Sequence, residues 1–280
     1  MFARLASAFS KKMNYFCNMN ERTIVELPEL PRSLSNETPC VLLGSCFSQY
    51  MGERMQIHDV PAIYNPLGTL FNPASIDLLL RAMDDEALQT SSVFYAEVDG
   101  EWRSWLADTK LKAATPEECA AQVKARLDAL RMHLQEAAYL FVTLGTCVCY
   151  ELQESGAVVT NCHRQPGRLF VERTLNQATC EAMLSRIVQK AQSLNPDIQV
   201  VFTVSPYRYK KYTLHGSQLA KATLLLAVDE VCRTHQGCLY FPAYEIVMDE
   251  LRDYAFYAED MLHPSAEAAD YIWNKLYGTQ

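Results

Sequence analysis

Residues 40–48 read Cys-Val-Leu-Leu-Gly-Ser-Cys-Phe-Ser, an apolar run that passes directly into a glycine and two side chains with nucleophilic atoms. The apolar part is typical of a buried strand, and the pattern after it predicts a helix. Glycine permits the sharp bend between the two. The N-terminus of the helix offers free N–H groups and a partial positive charge, which favour an anion and lower the pKa of a thiol. Ser45 and Cys46 are therefore candidate nucleophiles, although turns of this kind are also common without a catalytic role.

Strand-like apolar runs and amphipathic helical patterns alternate along the rest of the chain. This alternation predicts an α/β fold in which a parallel sheet is covered by helices on both faces, a three-layer α/β/α arrangement. Strands are predicted at 40–44, 139–146, 198–204 and 238–241, and helices near 48–56, 74–89, from Thr115 onward, 176–193, 217–235 and from about 265.

The predicted parallel sheet brings three polar turns to one edge. In such sheets ligands bind outside the carboxyl ends of the strands. The turns that emerge there are Gly44-Ser45-Cys46, Gly145-Thr146 and Ser205-Pro206.

Asp260 and His263 supply a candidate second half of a catalytic site. A carboxylate three residues from an imidazole can hold the ring in one tautomer and stabilise the imidazolium during proton transfer. Pro264 disfavours a helical conformation at His263, so we expect this histidine in a loop that faces the same edge. The alternative is structural, with Asp260 as a helix cap and His263 on the surface.

Charge and cysteine content restrict the class of protein. The chain has 25 basic and 33 acidic residues, a net charge of −8, and Lys210-Lys211 is its main basic cluster, which argues against nucleic acid as a partner. No apolar run approaches the roughly 18 residues of a membrane span, so no membrane insertion is expected. The ten cysteines lie mostly in apolar patterns, which predicts free thiols in a reducing compartment and a cytoplasmic location.

The domain organisation is predicted to be simple. We expect a disordered N-terminal segment over 1–21, which lacks the features of a signal peptide, and one α/β domain over 22–280. Asp99-Gly100 lies between extended segments and predicts a β-hairpin insertion at 93–106, which could cover a site.

Other polar side chains allow further interpretations. Cys147-x-Cys149 with Cys162-His163 offers ligands for zinc, although the spacing suits tetrahedral closure poorly. His163 could instead line a pocket. Glu245 is either a rim carboxylate or the partner in a buried ion pair. An anionic part of a substrate could be held by Arg208, Lys210, His215 and Lys221, which otherwise form a solvated face.

Several motifs spread over most of the chain resemble one known family. They include Gly44-Ser45-Cys46-Phe47-Ser48, Asn65-Pro66-Leu67-Gly68, Thr143-Leu144-Gly145-Thr146, Asn161-Cys162-His163, Thr203-Val204-Ser205-Pro206, His215-Gly216-Ser217-Gln218 and His263-Pro264. Together they resemble the bacterial GSCFA family over about residues 22–277. That family is similar to the SGNH (GDSL-like) hydrolases. The resemblance therefore implies a flavodoxin-like fold, a nucleophile after the first strand and an Asp-x-x-His motif near the end of the chain.

The resemblance also implies roles for individual residues. The hydrolases read Gly-Asp-Ser where this chain reads Gly44-Ser45-Cys46, so Cys46 takes the position of the nucleophile and Ser45 is the alternative. Where the hydrolases place an asparagine donor, this chain has Cys147. The oxyanion and substrate are then expected to be bound by the backbone N–H groups of Cys46 and Gly68, by Asn65 or Asn72, and near Gly145 and Thr146.

These observations predict an acyl-ester hydrolase or O-acyltransferase that acts on a small acyl ester, with esters of saccharides included. His263 would accept the proton of Cys46 or Ser45, and Asp260 would orient His263. No cofactor and no metal are predicted. The alternatives are a non-catalytic domain that binds a carbohydrate or a cofactor, and a metal-binding protein that uses the cysteine and histidine residues at 147–163.

Overall fold

The computed structural model describes residues 23–278. The predicted disordered segment 1–21 lies outside the described residues. The strands are β1 (Cys40–Gly44), β2 (Ala62–Tyr64), β3 (Tyr95–Val98), β4 (Glu101–Ser104), β5 (Tyr139–Leu144), β6 (Val148–Leu152), β7 (Val158–Val159), β8 (Phe170–Thr174), β9 (Gln199–Val204) and β10 (Cys238–Tyr240). The helices are α1 (Cys46–Ile57), α2 (Pro73–Ala82), α3 (Glu86–Thr90), α4 (Pro116–Glu136), α5 (Gln177–Leu194), α6 (Thr213–Thr234), α7 (Ala243–Glu245) and α8 (Ala266–Gly278).

The central sheet is parallel, and its strands lie in the order β2-β1-β5-β9-β10. Numbered along the chain, this is the order 2-1-3-4-5 of flavodoxin-like sheets. The order reverses between β1 and β5, and ligands bind outside the carboxyl ends of the strands at such a point. The stretch at 40–48 therefore leads directly into the binding edge of the sheet.

Alternating side chains of the sheet form two separate cores. Val41 and Leu43 of β1 belong to one apolar cluster, whereas Cys40 and Leu42 belong to another, because successive side chains of a strand point to opposite faces. The first cluster includes buried residues of α2, α4, α5 and α6, and the second includes residues of α1 and α8. The predicted three-layer α/β/α fold is confirmed.

The predicted hairpin is present, but it lies against α4. Strands β3 and β4 pair antiparallel across Asp99 and Gly100, whose φ angles of 55° and 77° both lie in the left-handed region. This is the geometry that favours Asp-Gly in a tight hairpin. The hairpin contacts α4 and contributes no residue to the pocket described below, so it does not cover the candidate site.

Three parts of the fold differ from the sequence-based expectation. The edge strand β2 was not predicted, because it has three residues and all are half-buried. The helix predicted over 74–89 is divided into α2 and α3, because the Asp85 carboxylate accepts a hydrogen bond from the Leu88 N–H at 3.2 Å and caps a new helix. The antiparallel sheet of β7, β6 and β8 was not predicted. Its strands are short and partly exposed, so they lack the continuous apolar run of the central strands.

Among residues 23–278, no helix combines the length and the apolar character needed to cross a bilayer.

Candidate active site

The turn after β1 requires a glycine. Gly44 has a φ of 145°, and a Cβ at this position would lie 2.2 Å from the Thr143 carbonyl oxygen. The Gly44 N–H donates to Asn65 Oδ1 at 2.8 Å, and the Ser45 N–H donates to the Thr143 carbonyl at 3.1 Å. These contacts fix the bend between the strand and α1.

Ser45 and Cys46 have different roles at the start of α1. Ser45 is buried and forms the N-cap, and its Oγ accepts a hydrogen bond from the Phe47 N–H at 3.3 Å. Cys46 is the first residue of the helix, and it is exposed. The hydroxyl is therefore engaged in the structure of the helix, which favours the thiol as the nucleophile.

The environment of the Cys46 thiol shifts its pKa in two opposing directions. Although Cys46 is exposed, the residues around the cavity partly desolvate its sulfur, which raises the pKa, while the N–H groups of Cys46 and Phe47 and the positive charge of Lys221 lower it. Desolvation has the larger effect, so the pKa lies above its ordinary value. A thiol of this kind is protonated near neutral pH and needs a base to become the nucleophile.

Asp260 and His263 form the pair that the sequence predicts. The Nδ1–H of His263 donates to Asp260 Oδ2 at 2.5 Å, and Asp260 Oδ1 accepts the N–H groups of Leu262 and His263, both at 2.9 Å. These hydrogen bonds, with the backbone N–H of His263 first, lower the pKa of Asp260 to about 2. Because the carboxylate can only accept, Nδ1 carries the proton and Nε2 of the neutral ring is the basic atom.

One cavity of about 220 Å³ joins the two halves of the site at the switch point between β1 and β5. The cavity contains both Cys46 and His263 in its wall, and no hydrogen bond joins the two side chains within residues 23–278. The His263 ring packs on Tyr207 with a centroid distance of 4.3 Å. The lining residues are Ser45, Cys46, Phe71, Gly145, Ser205, Tyr207, Tyr209 and His263.

The loop that carries His263 is attached to the loop that follows β9. The Arg208 N–H donates to the Leu262 carbonyl at 2.9 Å, and the Ala258 N–H donates to the His263 carbonyl at 2.8 Å. Met261, between Asp260 and Leu262, has a φ of 58°, in the left-handed region. The backbone that carries the imidazole is therefore held by hydrogen bonds from Arg208 and Ala258.

The family model described as the GSCFA family matches residues 39–276, most of the chain. The chain belongs to the GSCFA family. The resemblance seen in the sequence motifs is thereby confirmed.

Solved structures similar to this GSCFA-family chain include three esterases. A carbohydrate esterase of family 3 from Talaromyces cellulolyticus shares 9% identity over 86% of this chain and 95% of its own, with a TM-score of 0.35. A family two carbohydrate esterase from Clostridium thermocellum, in complex with cellohexaose, shares 12% identity over 90% and 66%, with a TM-score of 0.41. An acetyl xylan esterase from Butyrivibrio proteoclasticus shares 10% identity over 90% and 65%, with a TM-score of 0.38. No curated protein matches the chain by sequence.

Several amide groups that were expected to bind an oxyanion are used within the fold of this GSCFA-family chain. The Gly68 N–H donates to the Asn65 carbonyl at 2.8 Å, and the N–H groups of Gly145 and Thr146 donate to the Phe71 carbonyl at 2.8 and 2.9 Å. The expectation that the Gly68 N–H faces the oxyanion is therefore corrected, because the tight turn pairs it internally.

The two candidate asparagines also support the backbone. Asn65 Oδ1 accepts from Gly44, and its Nδ2 donates to the Ser45 carbonyl at 3.4 Å. Asn72 is the N-cap of α2, where its Oδ1 accepts from the Ser75 N–H at 2.9 Å. Among the predicted donors, the Cys46 N–H, at the N-terminus of α1, is the one that lies directly beside the thiol.

His163 lies in the core rather than in the candidate site, which corrects its assignment as a substrate-binding residue. Its Nε2–H donates to the Ser104 carbonyl at 2.8 Å, its Nδ1 accepts from the Thr109 hydroxyl at 3.2 Å, and its ring packs on Trp105. Burial lowers its pKa, so the ring is neutral. Both nitrogens are thus engaged in holding the segment 104–109.

Three other predicted binding residues lie outside the lining of the cavity. The Arg208 guanidinium donates to Gln218 Oε1 and to the Tyr244 hydroxyl, both at 3.1 Å. His215 is exposed in the first turn of α6. Glu245 accepts from the Tyr240 hydroxyl at 2.7 Å, which makes it a hydrogen-bond partner of a half-buried tyrosine. This contact corrects both expectations for Glu245, which were a carboxylate at the rim of the site and the partner in a buried ion pair.

The side chains of the alternative zinc site do not come together. In the described part of the chain, no three His, Cys, Asp or Glu side chains are grouped closely enough to hold a metal ion. Cys147 and Cys149 are buried, and burial raises the pKa of Cys149 to about 11. These thiols are core residues.

Two tyrosines in the wall of the cavity were not predicted from the sequence. Tyr207 and Tyr209 lie in the loop that follows β9, and their rings meet edge to face with a centroid distance of 5.3 Å. Their position after Ser205-Pro206, at a predicted strand end, was the available signal. Aromatic residues there form an apolar wall beside His263.

Proposed function

We propose that this chain is an SGNH-like enzyme that transfers a small acyl group from an ester through a thioester on Cys46. The observation that carries the proposal is one small cavity whose wall contains both an exposed thiol at a helix N-terminus and an imidazole oriented by a carboxylate. These are the parts that nucleophilic acyl transfer requires.

The proposed reaction has two steps. His263 Nε2 takes the proton of Cys46, and the sulfur attacks the ester carbonyl to give a tetrahedral oxyanion beside the Cys46 N–H. The imidazolium then protonates the departing alcohol and leaves a thioester. In the second step His263 deprotonates water or an acceptor hydroxyl, which attacks the thioester and restores the thiol. Water gives hydrolysis, and a hydroxyl of a saccharide gives O-acyl transfer.

The size and polarity of the cavity favour a short acyl group. A volume of about 220 Å³, partly walled by Phe71, Tyr207 and Tyr209, accommodates an acetyl group together with the atoms around the scissile bond. The larger alcohol part of such an ester, a saccharide included, would then lie outside a cavity of this volume.

One observation favours a second candidate function, a non-catalytic domain that binds a carbohydrate. The N–H groups of Gly68, Gly145 and Thr146 are all paired within the fold, which leaves few donors for an oxyanion. A domain of this kind would keep the cavity without turnover.

Turnover of activated esters separates the two candidates. The protein is assayed with p-nitrophenyl acetate and p-nitrophenyl octanoate, together with Cys46→Ala and the matched control Cys232→Ala. Cys232 is a free, half-buried cysteine of α6 that does not line the cavity. We expect the acetate to be preferred and Cys46→Ala to lower its turnover by about 10³-fold or more, with little change in the control. Equal turnover by Cys46→Ala and the unaltered protein would exclude the proposed role of Cys46.

We further propose that the chain works in a reducing compartment such as the cytoplasm. The nine cysteines within residues 23–278 are all free, and Cys46 must stay reduced to act as a nucleophile. Thiol titration of the purified protein, with and without a reductant, should give the same count.

A further inference from the structure

Lys221 is a lysine of α6 whose side chain is completely buried beside the candidate site. Its Nζ donates to two backbone carbonyls, those of Gly145 and Ser205, each at 2.6 Å. Gly145 follows β5 and Ser205 follows β9, and both residues line the cavity. One buried ammonium group thus links the ends of two neighbouring strands at the binding edge.

The charge of Lys221 has no carboxylate partner. Within residues 23–278 the lysine takes part in no ion pair, although buried charges in proteins are ordinarily paired. If the side chain at position 221 served only to fill space, methionine would give a more stable protein, because the ammonium group of a buried lysine loses its hydration. When Lys221 is protonated, a negative charge in the site is therefore the group that would stabilise it most.

The groups that face this region are the thiols of Cys46 and Cys147, the guanidinium of Arg208, the imidazole of His263 and the hydroxyls of Tyr207 and Tyr209. Burial and Arg208 lower the pKa of Lys221, to about 7, whereas Cys46 and Cys147 raise it. In return, the charge of Lys221 lowers the pKa of the Cys46 thiol. Of these two thiols, Cys46 is the exposed one that lines the cavity, and Cys147 is buried.

We propose that Lys221 is a positioning residue, which holds the ends of β5 and β9 together at the cavity and whose ammonium group stabilises the Cys46 thiolate. The inference deepens the proposed function and rests on Cys46 as its nucleophile. When His263 takes the thiol proton, the negative charge that forms on sulfur has a positive charge fixed close to it.

The test measures the rate at which iodoacetamide alkylates Cys46 as a function of pH, by mass spectrometry of the Cys46 peptide. The variants are Lys221→Met, which removes the charge and the hydrogen bonds, and Lys221→Gln, which removes the charge but keeps an N–H₂ group. Lys210→Met is the matched control, because this lysine is exposed after β9 and, contrary to the expectation from the sequence, does not line the cavity.

We expect both Lys221 variants to shift the pH profile of Cys46 alkylation to higher pH, with the rate at pH 7 about 5-fold lower than in the unaltered protein. The difference should narrow at higher pH, because Lys221, with a pKa of about 7, loses its charge there in the unaltered protein. Lys210→Met should react as the unaltered protein does. Lys221→Gln keeps the test valid if Lys221→Met does not fold, as judged by circular dichroism. A profile of folded Lys221→Gln that superimposes on that of the unaltered protein would overturn the proposal.

Failure of this inference is distinguishable from failure of the proposed function. Alkylation reports the state of the Cys46 thiol and requires no ester turnover. A protein without esterase activity that still shows the shift would retain the role of Lys221 and lose the acyl-transfer proposal. An active protein without the shift would retain the acyl-transfer proposal and lose the role of Lys221.

Discussion

Two parts of the chain combine cysteine with histidine, and they lie in opposite environments. At the edge of the sheet, Cys46 is exposed at a helix N-terminus, and His263 keeps Nε2 available while Nδ1 binds Asp260. In the segment 147–163 the first two cysteines are buried, and both ring nitrogens of His163 are bound by residues 104–109. Residue type alone would make the second part the richer candidate site.

The difference shows that position in the fold decides which thiol can react. Burial raises the pKa of Cys149 to about 11. Burial also raises the pKa of Cys46, but the N–H groups at the start of α1 and the charge of Lys221 oppose it there. The turn after β1 places Cys46 at a helix N-terminus and at the switch point of the sheet. The segment 147–163 has neither feature.

The largest expected effect concerns the two histidines. His263→Ala removes the proposed base and should lower ester turnover by about 10²–10⁴-fold, whereas His163→Gln should leave turnover nearly unchanged and lower the free energy of unfolding by about 1–3 kcal/mol. Steady-state kinetics and urea denaturation of both variants measure these effects. His215→Ala, at an exposed position, is the control. If His163→Gln lost activity as strongly as His263→Ala, the contrast between the two parts would not hold.

A smaller effect concerns pH. Burial lowers the pKa of His163 below its ordinary value of 6.5, so the unfolded chain binds this proton more tightly than the folded chain does. The stabilising contribution of neutral His163 is therefore complete above about pH 6.5 and declines as the pH falls below that value. Between pH 7.5 and 5.5, the unaltered protein should lose more unfolding free energy than His163→Gln. His215→Gln should behave as the unaltered protein, and equal losses in all three proteins would contradict the buried, neutral state of His163.

The sequence predicted four of the five strands of the central sheet, because those four are continuous apolar runs. It missed the edge strand β2, which is three residues long and half-buried. It predicted the Asp260–His263 pair because both residues lie in one short loop. The partners of single amide groups could not be predicted in this way. The hydrogen-bond partner of the Gly68 N–H is set by the local geometry of a turn. The burial of Lys221 depends on how α6 packs against β5 and β9. Contacts of this kind depend on the assembled fold rather than on residue spacing.

The direct test of the central claim is to trap the acyl-enzyme. The protein is mixed with p-nitrophenyl acetate, quenched with acid within the first turnovers, digested and analysed by mass spectrometry. The account predicts one acetyl group on Cys46, absent from Cys46→Ala and strongly reduced in His263→Ala. An acetyl group on Ser45, or no acetylation of residues 40–48 during active turnover, would contradict it.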